Sequence, residues 1–176
     1  IIVLLLLIKR ETSMSKSIKL KMIVIFSSLI LLSGIVTSYV SFQTSKNVIT
    51  SSLGDQALSI SENAVKVIDL EQYEEISLDS GETDYYYELR DNLNEIRETN
   101  GLVYLYTMGR QEKEGEFEYY YMVDGMLQDA SALGEVEEGV DEYPLLVNAF
   151  ETGKSQVGEL TYSEEYGALV SAYIPI

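Results

Sequence analysis

Apolar and polar positions along this chain fall into three regimes. Met22–Val40 runs for 19 residues without a charge (MIVIFSSLILLSGIVTSYV). A helix crossing the bilayer core needs about 20 mostly apolar residues, so the stretch predicts a transmembrane helix over 22–41. Its hydroxyl side chains can bond back to the helix backbone. Next, Ile49, Leu53, Ala57, Ile60, Ala64 and Ile68 recur at spacings of 4, 4, 3, 4 and 4, one face of an α-helix. That spacing predicts a helix from about Ser45 to Leu70, continuing from the span, with Gly54 a weak point. Tyr86, Leu89, Leu93 and Ile96 predict a further helix, stopped by Gly101.

From Leu102 the period becomes that of strands. LVYLYTM and FEYYYMV are rich in β-branched and aromatic residues. They predict a hairpin about the charged turn QEKEGE. Tyr143–Phe150 predicts a short helix, with Pro144 in its first turn and Gly153 at its end. SQVGELTY and ALVSAYIPI predict a second hairpin about the turn SEEYG, and residues 77–84 and 126–141 read as loops. Helices followed by antiparallel strands make an α+β fold, an antiparallel sheet covered by helices.

Charge sharpens this division. Residues 1–46 carry six Lys/Arg against one acid, a net of +5, and residues 47–176 carry six against 28, a net of −22. Lys16, Lys19 and Lys21 precede the apolar stretch and only Lys46 follows closely. The positive-inside rule then gives a cytoplasmic leader over 1–21 and an extracytoplasmic domain over 42–176, with Tyr39 and Phe42 at the outer interface. The span exceeds the roughly 7–15 apolar residues of a signal peptide, so an uncleaved anchor is expected. Ile1–Ile8 is too short to span, and Met14 opens a basic run, MSKSIKLK, that reads as a natural start. Residues 1–13 are therefore expected to be upstream sequence.

Composition narrows the chemistry. There is no Cys, His or Trp among 176 residues, which removes disulfides, Cys/His zinc sites and His-based nucleophile activation. The acidic body repels nucleic acid. DSGETD lacks the spacing of a calcium loop, and Glu135, Glu137, Glu138, Asp141 and Glu142 read as a solvated run. No catalytic residue, metal or cofactor is expected, so the chain is not read as an enzyme. Binding is the stronger expectation, because 14 tyrosines can supply both apolar walls and polar tips. Strand alternation puts Tyr104, Tyr106 and Met108 on one face. It likewise puts Tyr119, Tyr121 and Val123 opposite Tyr120, Met122 and Asp124. In the last strand the apolar face Val170, Ala172 and Ile174 is expected against the long helix, leaving Leu169, Ser171 and Tyr173 on the other. Asp124, at a strand end, could hold a ligand ammonium.

The set formed by YLYTM (Tyr104–Met108), YMVDG (Tyr121–Gly125), NAFETG (Asn148–Gly153) and YGALVSAYIPI (Tyr166–Ile176), preceded by an anchor and a long helix, resembles the Cache (PAS-like) extracytoplasmic sensor domains of bacterial transmembrane receptors. The likeness covers residues 42–176. It implies a single Cache-like domain with a PAS-like sheet, incomplete at its C-terminus. It also implies a small-molecule ligand, an amino acid or amine, held on the sheet face that carries Ser171 and Tyr173. The candidate ligand residues are then Tyr104, Tyr106, Tyr121, Asp124, Ser171 and Tyr173. The front end is most like that of a methyl-accepting chemotaxis protein, and diguanylate cyclases and sensor histidine kinases share it. A membrane-anchored structural or adhesion protein is the rival class. A homodimer along the Ile49–Ile68 stripe is expected.

Overall fold

The computed structural model describes residues 18–140, 143–163 and 167–176. Residues 1–17, where a cytoplasmic leader is expected, Asp141, Glu142 and residues 164–166 of the expected SEEYG turn lie outside the described residues. The fold mixes helices with small antiparallel sheets. The chain divides into two compact units, Ile1–Ile49 and Thr50–Ile176.

A single helix, α1, covers Ile18–Val65, roughly 70 Å at 1.5 Å per residue. Its part in the first unit exposes nearly every residue, including the apolar run Met22–Val40. The helix is long and apolar enough to cross a membrane, and none of its most apolar 18-residue window is buried.

In the second unit α1 turns its stripe inward. Gly54, Ile60 and Ala64 are buried and Ala57 is half-buried. The expected dimer stripe is thus divided, with Ile60, Ala64 and Ile68 buried and Ile49 and Leu53 exposed. Gly54 has a packing reason. A methyl group built there would lie 2.5 Å from Val157 Cγ1, with Val170 Cγ1 at 3.6 Å. Val170 therefore does face the long helix, as alternation predicts.

The helix ends five residues earlier than expected. Asp69 caps a new short helix, α2 (Leu70–Glu75), accepting hydrogen bonds from the backbone N–H groups of Glu71 (3.1 Å) and Gln72 (3.3 Å). A capping carboxylate competes with helix continuation. These bonds, led by the one from the Gln72 side chain, hold the Asp69 carboxyl below its usual range. Helix α3 (Asp84–Asn100) starts on Thr83, whose hydroxyl accepts from Tyr86 N–H, and stops at Gly101 in the left-handed conformation. Its face Tyr85, Tyr86, Leu89 and Leu93 packs with Ala64, Ile68, Ile76, Met122 and Val123 as the core. Leu89, Leu93 and Val123 are fully buried, each contributing about 2 kcal/mol of apolar burial.

The first hairpin is real, but it is shifted. Strand β1 is Tyr106–Lys113 and β2 is Glu116–Asp124, joined by only Glu114 and Gly115, both at positive φ. The charged run was expected to be turn. Instead Lys113 pairs with the Glu118 carboxylate at 3.0 Å and the Gln111 amide donates to it at 3.3 Å, so these residues stay in the ribbon. A bulge between Thr107 and Met108 breaks the simple alternation, and the Thr107 hydroxyl accepts the Val123 N–H at 3.1 Å.

Helix α4 (Pro144–Thr152) ends at Gly153 as expected. The second hairpin is two short ribbons, β3 (Gln156–Val157) with β6 (Ala172–Tyr173) and β4 (Thr161–Ser163) with β5 (Gly167–Leu169). Pairing slips by one residue between them, and the Gly158 N–H to Ser171 carbonyl bond (2.8 Å) bridges the break. Among the described residues the strands form three two-stranded sheets.

Gly125 is closed in by backbone. A methyl there would sit 2.8 Å from the Leu105 carbonyl oxygen and 2.9 Å from Leu93 Cβ. Neither neighbour can yield without moving backbone, so Gly125→Ala is expected to cost about 1–3 kcal/mol. Urea unfolding measures this; an unchanged midpoint would contradict the packing.

Candidate functional site

A cavity of about 580 Å³ lies inside the second unit, within the size range of small-molecule sites. Helix α1 supplies Ala57, Ser61 and Ala64 as one wall. The run Leu102–Met108 forms a second wall, Leu146, Ala149 and Phe150 of α4 a third, and Leu169–Ile176 a fourth. The small side chains of α1 leave the space, while the bulky aromatics line it.

Four of the six expected ligand residues converge on this space: Tyr104, Tyr106, Ser171 and Tyr173. Tyr121 adjoins them through its ring, which meets Tyr106 edge-on with centroids 5.0 Å apart and an interplanar angle of 68°. The bulge after Thr107 puts Tyr106 within reach of that ring.

Asp124 has another task. It is 4% exposed and is not among the lining residues. One carboxylate oxygen accepts the Met126 N–H at 3.0 Å and the other accepts the Ser131 N–H at 2.9 Å. The side chain thus pins the loop that follows β2, in the manner of an Asx turn. Both oxygens are engaged by the chain itself.

The carboxylate beside the tyrosines is Glu137, which sequence reasoning placed in a solvated run. Residues 134–137 lie antiparallel to β2. Gly134 N–H donates to the Tyr121 carbonyl (2.8 Å), Tyr121 N–H to the Glu135 carbonyl (2.9 Å), and Glu137 N–H to the Tyr119 carbonyl (2.8 Å). This pairing carries the half-buried Glu137 to the Tyr121 hydroxyl, which donates to its carboxylate. Nothing in local periodicity signals so non-local a contact.

The electrostatics follow from this arrangement. Burial pushes the Tyr106 phenol well above its ordinary value, with Tyr173, Glu137 and Tyr143 adding to the shift. Tyr121 is pushed up by burial first and by its hydrogen bond to Glu137 second. Tyr173 is raised by burial, against a lowering hydrogen bond from Ser171, with Tyr143 and Glu137 again raising it. Tyr73, also in the lining, is pushed up to about 12 by burial. All four are neutral phenols at physiological pH. Nearby, the Arg110 guanidinium lies over Phe117 (4.3 Å) and Phe150 (5.5 Å), and Tyr119 packs edge-on against Phe150 at 5.3 Å. Among the described residues no group of three or more Asp or Glu could hold a metal ion.

Comparison with known proteins adds no neighbour. No protein-family model matches the chain, no curated protein matches it, and no solved structure matches it. The functional reading therefore rests on the residues themselves.

Removing the Asp124 carboxylate leaves two partly buried N–H groups without acceptors. Asp124→Ala is expected to destabilise the domain by about 1–3 kcal/mol and to speed hydrogen exchange at the Met126 and Ser131 amides. Unchanged exchange at both would contradict the loop-pinning role.

Proposed function

We propose that this chain is the ligand-sensing input region of a bacterial transmembrane chemoreceptor, anchored by α1 and carrying a Cache-like domain outside the cell. The observation that carries the reading is that one helix has two kinds of surface. Its Met22–Val40 run is apolar and unburied, which suits lipid. Past Thr50 the same helix, through Ala57, Ser61 and Ala64, forms a wall of the cavity. A ligand entering that space contacts the helix directly.

The mechanism follows from differential contact. A ligand shifts an equilibrium only by interacting differently with its two states. In this proposal the ligand bridges the Tyr106 and Tyr173 side of the cavity to α1 and favours one position of the helix, a displacement of the kind that passes through packed helices. The small ribbons β1–β2 and β3–β6 serve as parts of a PAS-like sheet around the ligand. Lys19 and Lys21 before the span fix the N-terminus in the cytoplasm.

The absence of cysteine makes the test clean. In intact cells an impermeant maleimide is expected to label Tyr162→Cys, at a position 81% exposed, and to label Lys19→Cys only after permeabilisation. A thermal-shift screen of the full chain in micelles against small metabolites is expected to find at least one that raises the melting temperature. Reversed labelling, or no stabilising metabolite, would contradict the proposal.

A further inference from the structure

We propose that the cavity of the second unit binds an uncharged, ring-bearing molecule with a hydroxyl or carbonyl group, its apolar body against Ala57 and Ala64 of α1 and its polar group among the lining hydroxyls. The inference deepens the ligand-sensing reading and rests on it for the cavity being a binding site. It departs from the amino acid or amine that the family resemblance implies.

Three observations carry it. The first is what the lining leaves out. Among the described residues that line the cavity there is no Asp, Glu, Lys or Arg, in a chain where those four types make up 23% of the residues. Burial also keeps the lining phenols of Tyr73, Tyr106 and Tyr173 protonated at physiological pH. An ion entering this space gives up its water and meets no side chain of opposite charge.

The second is what the surroundings withhold. An anion finds no basic residue, and a helix start does not substitute for one. At the start of α4, Pro144 has no N–H, and the Leu146 and Val147 N–H groups both donate to the Tyr143 carbonyl, at 3.0 and 3.4 Å. The net charge of −22 over residues 47–176 opposes an anion further. A cation is drawn towards the domain by that charge, yet inside the cavity it meets ring faces alone. Asp124 is buried off the lining, and its two oxygens accept from the Met126 and Ser131 N–H groups. Glu137 also lies off the lining and accepts from the Tyr121 hydroxyl. Attraction to ring faces is weaker than the desolvation cost of an unpaired ion.

The third is what the lining provides. Ser61 of α1, Tyr104, Tyr106 and Thr107 of the second wall, and Ser171 and Tyr173 of the fourth put hydroxyl-bearing residues on three of the four walls. A hydroxyl both donates and accepts, which suits an alcohol, a phenol or a carbonyl. Phe150 and the tyrosine rings offer flat apolar faces, where contact with another ring adds to simple burial. The α1 wall is the plainest, two alanine methyl groups and the Ser61 hydroxyl, so the ligand's contact with the helix is mostly apolar.

Three probes share one skeleton and differ in charge: β-naphthylmethanol, β-naphthoate and β-naphthylmethylammonium. The full chain is held in uncharged detergent micelles. Binding is read by equilibrium dialysis against matched empty micelles and by the melting temperature. The alcohol is expected to be retained and to raise the melting temperature, and each ion to bind about tenfold or more weakly. Ala57→Leu puts bulk into the cavity from the α1 wall and is expected to weaken alcohol binding by about tenfold or more. Partitioning into micelles, or contact with the apolar Met22–Val40 run, would not respond to that change. The unliganded melting temperature checks that the variant folds, and Ser61→Leu, one turn on, takes its place if it does not. An ion bound as tightly as the alcohol, or a folded, filled variant that binds the alcohol unchanged, would overturn the inference. No binding of the alcohol would also overturn it. The ligand-sensing reading falls only if the wider metabolite screen finds no stabilising compound either.

Discussion

The structure depends on one narrow stripe of α1. Between Gly54 and Ala64 the helix presents Gly54, Ala57, Ile60 and Ala64 inward, with Ile68 buried just past its end, and each size matters. Gly54 admits Val157 and Val170. Ala57 and Ala64 are too small to fill the cavity they border. Ile60 is buried, and Ile68 joins Ala64 in the core with Leu89, Leu93 and Val123. A larger residue at Ala57 would fill the space, and a polar one at Ile68 would open the core. The helix is thus both scaffold and cavity wall.

Charge sets the second constraint. A domain with 28 acids folds only if nearly all of them stay wet or find hydrogen-bond donors. Asp69 is exposed and satisfied by a helix start, and Asp124 is buried and satisfied by a loop. Glu137 differs. Its described donor is a phenol, among other phenols that burial keeps neutral.

Much of this was legible in the sequence where the signal is local. The uncharged 19-residue run, the 3–4 spacing of α3 and the stops at Gly101 and Gly153 each depend on a few neighbouring residues, and each appears where expected. Tyr104, Tyr106, Ser171 and Tyr173 lie together in the cavity lining, but so do their neighbours throughout Leu102–Met108 and Leu169–Ile176, so strand alternation is not what groups them. What was not legible depends on pairing at a distance. The hairpin turn shrank to Glu114–Gly115 because Gln111 and Lys113 find Glu118 across the ribbon. Glu137 looked like one acid in a run until residues 134–137 paired with β2. Asp124 looked like a ligand group because nothing in the sequence shows that Ser131 returns to it.

The central claim is that the α1 stripe is used inside the chain rather than between copies. Unfolding free energies of the full chain in micelles test it, with Ile60→Ala and Leu53→Ala compared side by side. Ile60 is 8% exposed and Leu53 is 45% exposed. Ile60→Ala is expected to cost about 2–4 kcal/mol, and Leu53→Ala to stay within about 0.5 kcal/mol. Equal losses at the two positions, rising with protein concentration, would mean that the stripe packs against a second copy and would contradict the account.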